Sequence, residues 1–122
     1  MAASALSLRA AYMDGRIRVS VPSLLAYEVL NALRFKAELS VAQLEGAIES
    51  LFDMGLDWVV PTPVSLRRAA VLARQFDVTA YDATFAAVAE GLGAVFVTAD
   101  AKLALQLAGL PFVRSLSAVE GD

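Results

Sequence analysis

The feature that most limits the fold is the alternation of short, mostly apolar runs with longer helical patterns. The run Leu56–Val60 ends at Pro61, and the run Ala94–Thr98 follows Gly91 and Gly93. Strands that are apolar on both faces are typical of parallel sheets covered by helices. Ala, the strongest helix former, accounts for 24 of the 122 residues. The sequence therefore predicts an α/β fold: a parallel sheet of about four strands covered by helices on both faces.

Residues that begin or end helices divide the chain into segments. Pro22 suits the first turn of a helix, and Ser40 and Thr79 suit N-caps. We expect helices at residues 3–12, 23–38, 40–54, 62–75, 79–91 and 101–108. Extended segments are expected at residues 17–21, 56–60, 94–98 and 111–113. Because no linker or internal repeat interrupts this pattern, residues 1–122 are predicted to form a single domain.

The composition excludes several classes of chemistry. The chain has no Cys and no His, so disulfides, zinc sites built on these residues and His-based catalytic triads are excluded. The absence of Cys fits a cytoplasmic location, and the longest uncharged stretch, Leu103–Val113, is too short to span a membrane. The net charge of −3 argues against a protein that coats nucleic acid by bulk charge. Catalysis must rest on carboxylate, amine or hydroxyl groups, with or without a hard metal ion.

Two polar residues interrupt the apolar segment Leu24–Leu33. Glu28 and Asn31 are spaced so that they share one face of the predicted helix. A carboxylate among apolar neighbours is costly if it is buried without a partner. Glu28 is therefore a candidate functional carboxylate, and the alternatives are a partly hydrated side chain or an ion pair with a cation such as Arg34.

Two further acids stand at predicted helix starts. Asp82 lies in the first turn of an otherwise apolar helix, where it can form a capping box with Thr79. Asp100 follows a buried strand and precedes a helix, which is a common N-cap position. Taken singly, each is better interpreted as a cap than as a catalytic group. Thr98 and Asp100 nevertheless stand at the carboxyl end of a predicted parallel strand, where ligands of such sheets bind.

Together the three acids suggest a different interpretation. A doubly wound sheet can bring Glu28, Asp82 and Asp100 to one edge. Three neighbouring carboxylates repel one another unless a cation compensates them. A carboxylate cluster without His or Cys suits a hard cation such as Mg²⁺ or Mn²⁺.

Three blocks of the chain carry a family resemblance: VPSLLAYEVLNAL at 21–33, TAYDA at 79–83 and VTAD at 97–100. In this order and spacing they resemble the PIN-domain ribonucleases, and most closely the VapC-type toxins of toxin–antitoxin pairs, over about residues 3–113. The resemblance implies that Glu28, Asp82 and Asp100 hold Mg²⁺ or Mn²⁺, with Asn31 and Thr98 in support. It also implies a metal-dependent endoribonuclease that hydrolyses RNA phosphodiesters.

The chain departs from the family pattern at its start. In the family, a central strand ending in a further Asp precedes the helix that matches residues 3–12. Asp14 does not take that place, because it follows the helix. We expect this strand and its Asp to lie upstream of Met1, with a gap in the sheet without them. RNA cleavage is expected to be weak for the chain as it stands and stronger with the upstream segment restored.

Several partners follow from the sequence. A positive rim for an RNA backbone can be drawn from Arg34, Lys36, Arg67, Arg68, Arg74 and Lys102. The resemblance adds an antitoxin protein. The apolar fraction of 58% favours a homodimer, with residues 23–38 and 40–54 as contributors. The alternative function is a non-catalytic PIN-like module for dimerisation or partner binding, and a receiver-like phosphate-binding domain is a third and weaker one.

Overall fold

A computed structural model of the chain describes residues 12–15 and 17–119. Apart from Tyr12, which is helical, the helix predicted at 3–12 lies outside the described residues, as does any strand before it. The chain forms two compact units, which are described separately. Unit 1 contains the residues up to Arg18 and those from Pro61 onwards, and unit 2 is Val19–Val60.

Unit 2 consists of two parallel strands joined by two helices. Its elements are β1 (Ser20–Pro22), α1 (Leu24–Arg34), α2 (Val41–Asp53) and β2 (Asp57–Val59). The parallel register pairs Ser20 with Asp57, Val21 with Trp58 and Pro22 with Val59. Parallel strands need a long crossover, and the two helices supply it.

Local hydrogen bonds set the bounds of these elements. Pro22 closes β1 rather than opening the helix, as the sequence had suggested, because the next amide, that of Ser23, donates to the Val59 carbonyl at 2.8 Å. The first helix stops at Arg34, short of the expected residue 38. Ser40 adopts an extended conformation and forms a capping box with Gln43, so the residues before it serve as the connection.

Unit 2 buries little of its apolar surface. Pro22 is its only buried residue, and neither α1 nor α2 contains one. Tyr27 on α1 is 71% exposed and Phe52 on α2 is 54% exposed. One aromatic pair is formed, with the Phe52 and Trp58 rings stacked at 4.9 Å between centroids.

Unit 1 consists of a helical hairpin and a second pair of parallel strands. Its elements are α3 (Pro63–Phe76), α4 (Ala80–Leu92), β3 (Phe96–Thr98), α5 (Ala101–Gln106), β4 (Val113–Ser115) and α6 (Leu116–Val119). The register pairs Phe96 with Val113 and Thr98 with Ser115. The last strand begins two residues later than the extended segment expected at 111–113, because Val113 N–H closes a turn onto the Leu110 carbonyl. The short helix α6 was not anticipated.

A buried cluster holds unit 1 together. Leu72 of α3 and Leu107 after α5 are fully buried. The remaining members are mostly alanines of the two long helices, with two further leucines: Ala69, Ala83, Ala86, Ala87, Leu103 and Leu110. The alanines take up little space between α3 and α4, and the leucines of the cluster pack among them.

The hairpin of α3 and α4 is fixed at both ends. The turn uses Asp77 in the left-handed region at φ 55°, a conformation that Asp tolerates better than most residues. At the far end the Arg68 guanidinium makes two hydrogen bonds to the Glu90 carboxylate, at 2.6 and 3.1 Å. Glu90 is therefore an interhelical ion-pair partner.

The observed architecture is a mixed α/β fold with short parallel strands, as the sequence predicted. The strands form two two-stranded sheets, one in each unit. A single sheet of about four strands with helices on both faces, and a single domain over 1–122, stay predictions. None of the helices in the described part of the chain is long and apolar enough to cross a membrane.

Candidate metal centre

Asp82 sits at the start of α4 with a carboxylate that no described residue engages. The Thr79 side chain accepts a hydrogen bond from the Asp82 N–H at 3.1 Å, which caps the helix. The reciprocal bond from the Thr79 N–H to the Asp82 carboxylate is not formed. The half-buried carboxylate thus lies in the first turn, near the positive end of the helix dipole. The cap uses the Thr79 hydroxyl and the Asp82 N–H, so the carboxylate oxygens of Asp82 are available to a ligand.

Asp100 is the N-cap of α5, as the alternative interpretation expected. Its Oδ1 accepts from the Leu103 N–H at 3.1 Å, and its own N–H donates to the Thr98 hydroxyl oxygen at 3.1 Å. These two bonds fix the carboxylate at the end of β3 and give Thr98 a role in holding the turn. Asp100 Oδ2 has no partner in the described chain. Asp100 can therefore cap the helix through Oδ1 and bind a metal ion through Oδ2.

Asp82 and Asp100 lie towards the same end of unit 1. The short connection after Gly93 turns the chain back, and the Phe85 ring of α4 stacks on Phe96 of β3 with centroids 6.0 Å apart. Asp82 precedes Phe85 by about one helical turn, and the chain runs on from Phe96 to Asp100 in the opposite direction along α4. Asp82 and Asp100 therefore lie on the same side of the Phe85–Phe96 pair, towards the start of α4.

Glu28 and Asn31 share a face of α1 in unit 2, and both are exposed. Asn31 Oδ1 accepts from Arg34 Nε at 3.1 Å, and the Arg34 guanidinium lies 4.1 Å from the Phe35 ring centroid. An ion pair with Arg34 was one alternative for Glu28 in the sequence analysis. In the structure, Asn31 and Phe35 hold the Arg34 side chain. Because Glu28 belongs to unit 2 and the two aspartates to unit 1, convergence of the three carboxylates stays a prediction.

The cations predicted to form a rim differ in their surroundings. Arg68 is committed to Glu90, which raises the pKa of the guanidinium and lowers the pKa of the carboxyl through their hydrogen bonds. Arg67 and Arg74 are exposed on α3 with no partner among the described residues, and Lys36 and Lys102 are exposed as well. The rim is therefore not uniform, because the charge of Arg68 is compensated by Glu90.

Comparison with known proteins identifies the family. Residues 2–106 match the family model described as PIN domain. The chain belongs to the PIN-domain family. PIN domains are generally nucleases and generally depend on a divalent metal, and the matched region includes Glu28, Asn31, Asp82, Thr98 and Asp100.

A solved structure agrees with this PIN-domain assignment. The crystal structure of PAE2754 from Pyrobaculum aerophilum superimposes with a TM-score of 0.65 at 27% identity, covering 98% of this chain and 92% of that one. No curated protein matches the chain.

The donor chemistry of this PIN domain fits a hard divalent cation. Asp82 and Asp100 offer carboxylate oxygens, which Mg²⁺ prefers, and such ions retain several waters alongside one or two carboxylates. Taken within either unit, the described residues contain no cluster of three or more acids arranged to hold a metal. Unit 1 by itself therefore supplies two of the three predicted ligands.

One exposed side chain beside the acids escaped the sequence interpretation. Tyr81, which immediately precedes Asp82, is 63% exposed. Aromatic rings on the surface of nucleic-acid-binding proteins serve as stacking platforms for bases. The available signal was a large aromatic residue in the first turn of a helix whose buried residues are mostly alanine.

Proposed function

We propose that this chain is a metal-dependent endoribonuclease that hydrolyses RNA phosphodiesters, with Glu28, Asp82 and Asp100 as the ligands of Mg²⁺ or Mn²⁺. The observation that carries the proposal is the PIN-domain match over residues 2–106, which contains all three acids. The local geometry supports it, because the Asp82 oxygens and Asp100 Oδ2 are left open by the caps around them.

Each residue has a role in the proposed reaction. The cation, when bound, acts as a Lewis acid that activates water and offsets charge on the phosphate. Asp82 and Asp100 bind the cation at the same end of unit 1. The hydrogen bond from the Leu103 N–H holds Asp100 in one orientation. Thr98 fixes the turn that carries Asp100, and Asn31 supports Glu28 from the same helix face. These 122 residues contain no His, so none of them supplies an imidazole base.

The test is RNA cleavage by isosteric variants. Asp100→Asn removes the charge and keeps an equally good N-cap, so the fold is retained while cleavage falls by at least about 100-fold, as expected for loss of a catalytic electrostatic contact. Asp82→Asn and Glu28→Gln should behave in the same way. Cleavage of several single-stranded RNAs is measured with Mg²⁺, Mn²⁺ and EDTA.

The matched control is Asp77→Asn, which removes one carboxylate from unit 1 at a left-handed position that Asn also tolerates. Its cleavage rate should equal that of the unsubstituted chain. Cleavage that survives EDTA or Asp100→Asn would reject the metal-centred mechanism.

The biological role we propose is that of a VapC-type toxin that acts in the cytoplasm and is neutralised by an antitoxin protein. A homodimer is part of this proposal, with α1 and α2 at the interface. The exposed Tyr27, Leu30, Val41 and Phe52 on these helices support it, because apolar surface of this kind marks association sites. Light scattering that finds a monomer at high micromolar concentration would contradict the dimer.

A second candidate is a non-catalytic PIN-like module that binds a partner or dimerises. The same exposed apolar residues of unit 2 favour it. A folded protein that associates but leaves every RNA intact with both metals, also when the upstream strand and Asp expected from the sequence are added, would make this candidate the better one.

A further inference from the structure

Helix α3 carries three arginines in two different settings. Arg68 points to α4, where it pairs with Glu90. Arg67 and Arg74 are seven positions apart, so they share one face about 10 Å apart along the helix axis. That face is exposed, and neither arginine has a partner among the described residues.

The charged side chains on the outward face of α3 are all positive. The helix sequence PVSLRRAAVLARQF contains no acidic residue, and the exposed Val71 lies between the two arginines. In a chain with a net charge of −3, such a local concentration of uncompensated positive charge attracts an anion by its position rather than by bulk charge.

The Arg68–Glu90 pair fixes where this face lies relative to the acids of unit 1. The two helices are antiparallel, with Arg68 level with Glu90. Counting equally along both helices from that pair brings Arg74 level with Thr84, which is about half a turn from Asp82. The cationic face therefore leads along α3 to the end of the hairpin that carries Asp82.

We propose that Arg67 and Arg74 contact two phosphates of a single-stranded RNA along the outward face of α3, on a path that leads to the first turn of α4. The inference rests on the proposed ribonuclease function and deepens it, because it selects two arginines and rejects Arg68. Phosphate contacts position a strand without reading its sequence, so these residues set the register of the RNA over the acids.

The test separates binding from cleavage. Affinity for a fluorescent, mixed-sequence 20-nucleotide single-stranded RNA is measured in EDTA over a range of salt concentrations. Each phosphate contact to a single strand contributes about 0.7 to the slope of log affinity against log salt. Arg67→Gln and Arg74→Gln should each lower the slope magnitude by about 0.7 and weaken binding about fivefold at 0.1 M salt.

The matched control is Arg68→Gln, which removes the same charge from the same helix. Its salt slope should not change, because that guanidinium is already paired with Glu90. Arg67→Lys should keep the slope, since it keeps the charge. Far-UV circular dichroism verifies that each variant is folded.

The outcomes distinguish the two proposals. If the unsubstituted protein binds and cleaves RNA but Arg67→Gln and Arg74→Gln bind like Arg68→Gln, the inference is wrong and the proposed function stands. If polyglutamate of equal charge competes as well as RNA, the face is a site for acidic proteins and the inference is again wrong. If the unsubstituted protein binds no RNA, both proposals are rejected.

Discussion

Unit 1 and unit 2 combine the same kinds of element, yet only unit 1 has a buried core. Among the described residues, every buried hydrophobic side chain belongs to unit 1, whereas unit 2 buries only Pro22. The buried cluster of unit 1 combines alanines of α3 and α4 with leucines such as Leu72, while Tyr27 and Phe52 on the helices of unit 2 are more than half exposed.

The comparison shows that hydrophobic content and core formation are different properties. Mean hydropathy is +0.61 for the whole chain, which by itself suggests an extensive core. A substantial part of that hydrophobicity instead lies on exposed helix faces. Removing this apolar surface from water would be energetically favourable.

The largest expected effect is the contrast between two leucines. Leu72→Ala should lower the free energy of unfolding by about 2–5 kcal/mol, because it leaves a cavity at a site with no exposure. Leu30→Ala, at a position 48% exposed in the single chain, should cost less than about 0.5 kcal/mol when the protein is dilute enough to be monomeric. Urea denaturation followed by far-UV circular dichroism measures both values.

Trp58 allows unit 2 to be monitored separately. It is the single tryptophan of the chain and stacks on Phe52, so its fluorescence reports on the packing of β2 against α2. A Leu30→Ala variant as unstable as Leu72→Ala, with an equal shift in the Trp58 transition, would show that Leu30 is covered in solution and would break the contrast.

A second, smaller effect uses the capping boxes, one in each unit. Ser40→Ala in unit 2 and Thr62→Ala in unit 1 each remove a side chain that accepts from the N3 amide, at a cost of about 1 kcal/mol. Because the two units are distinct, Ser40→Ala should accelerate amide hydrogen exchange in α2, and Thr62→Ala should do so in α3.

The control for the caps is Ser50→Ala, an exposed serine within α2. Ala favours a helix interior, so exchange in α2 should not accelerate. If Ser40→Ala accelerates exchange equally in α3, the two units open together and the distinction between them fails.

The smallest expected effect concerns the ion pair of unit 1. The hydrogen bond from Arg68 holds the Glu90 pKa below its ordinary value of 4.5. The stabilisation is therefore present above that value and is lost as the pH falls through the lowered pKa, where Glu90 binds a proton. Both side chains are partly exposed, at 41% and 33%, so the effect is modest.

Arg68→Gln tests this sign directly. At neutral pH it should lower Tm slightly, and the difference from the unsubstituted chain should vanish once Glu90 is protonated. Carboxyl carbon NMR of Glu90 follows the pKa itself, which should return towards its ordinary value in the variant. An equal Tm difference at every pH would contradict the role assigned to the pair.

Much of the local structure was predictable from short sequence patterns. The caps Ser40, Thr62 and Asp100 all act on residues three positions ahead, so a window of four residues suffices to anticipate them. Pro22 was misplaced because proline suits both a strand end and a helix start. Only the hydrogen bond from the Ser23 amide to Val59, formed across the sheet, distinguishes the two.

The candidate site divides in the same way. The residue types and their order indicated Asp82, Asp100 and Thr98, and the structure explains how each is held by its immediate neighbours. The commitment of Arg68 to Glu90 depends on a pairing across 22 positions, and no local pattern distinguishes Arg68 from Arg67. Convergence of Glu28 with the two aspartates also depends on distant parts of the chain.

The sequence by itself determined the longer helices, the caps at Ser40, Thr62 and Asp100, the apolar strands and the absence of Cys and His chemistry, because these depend on residue identity and nearest neighbours. The tertiary structure decided which apolar faces are buried, which arginine is neutralised, and that Asp82 and Asp100 lie towards one end of unit 1. Those outcomes depend on contacts such as Phe85 with Phe96. Such contacts form only when distant segments pack, since the energy of burial depends on what covers a side chain and not on the side chain alone.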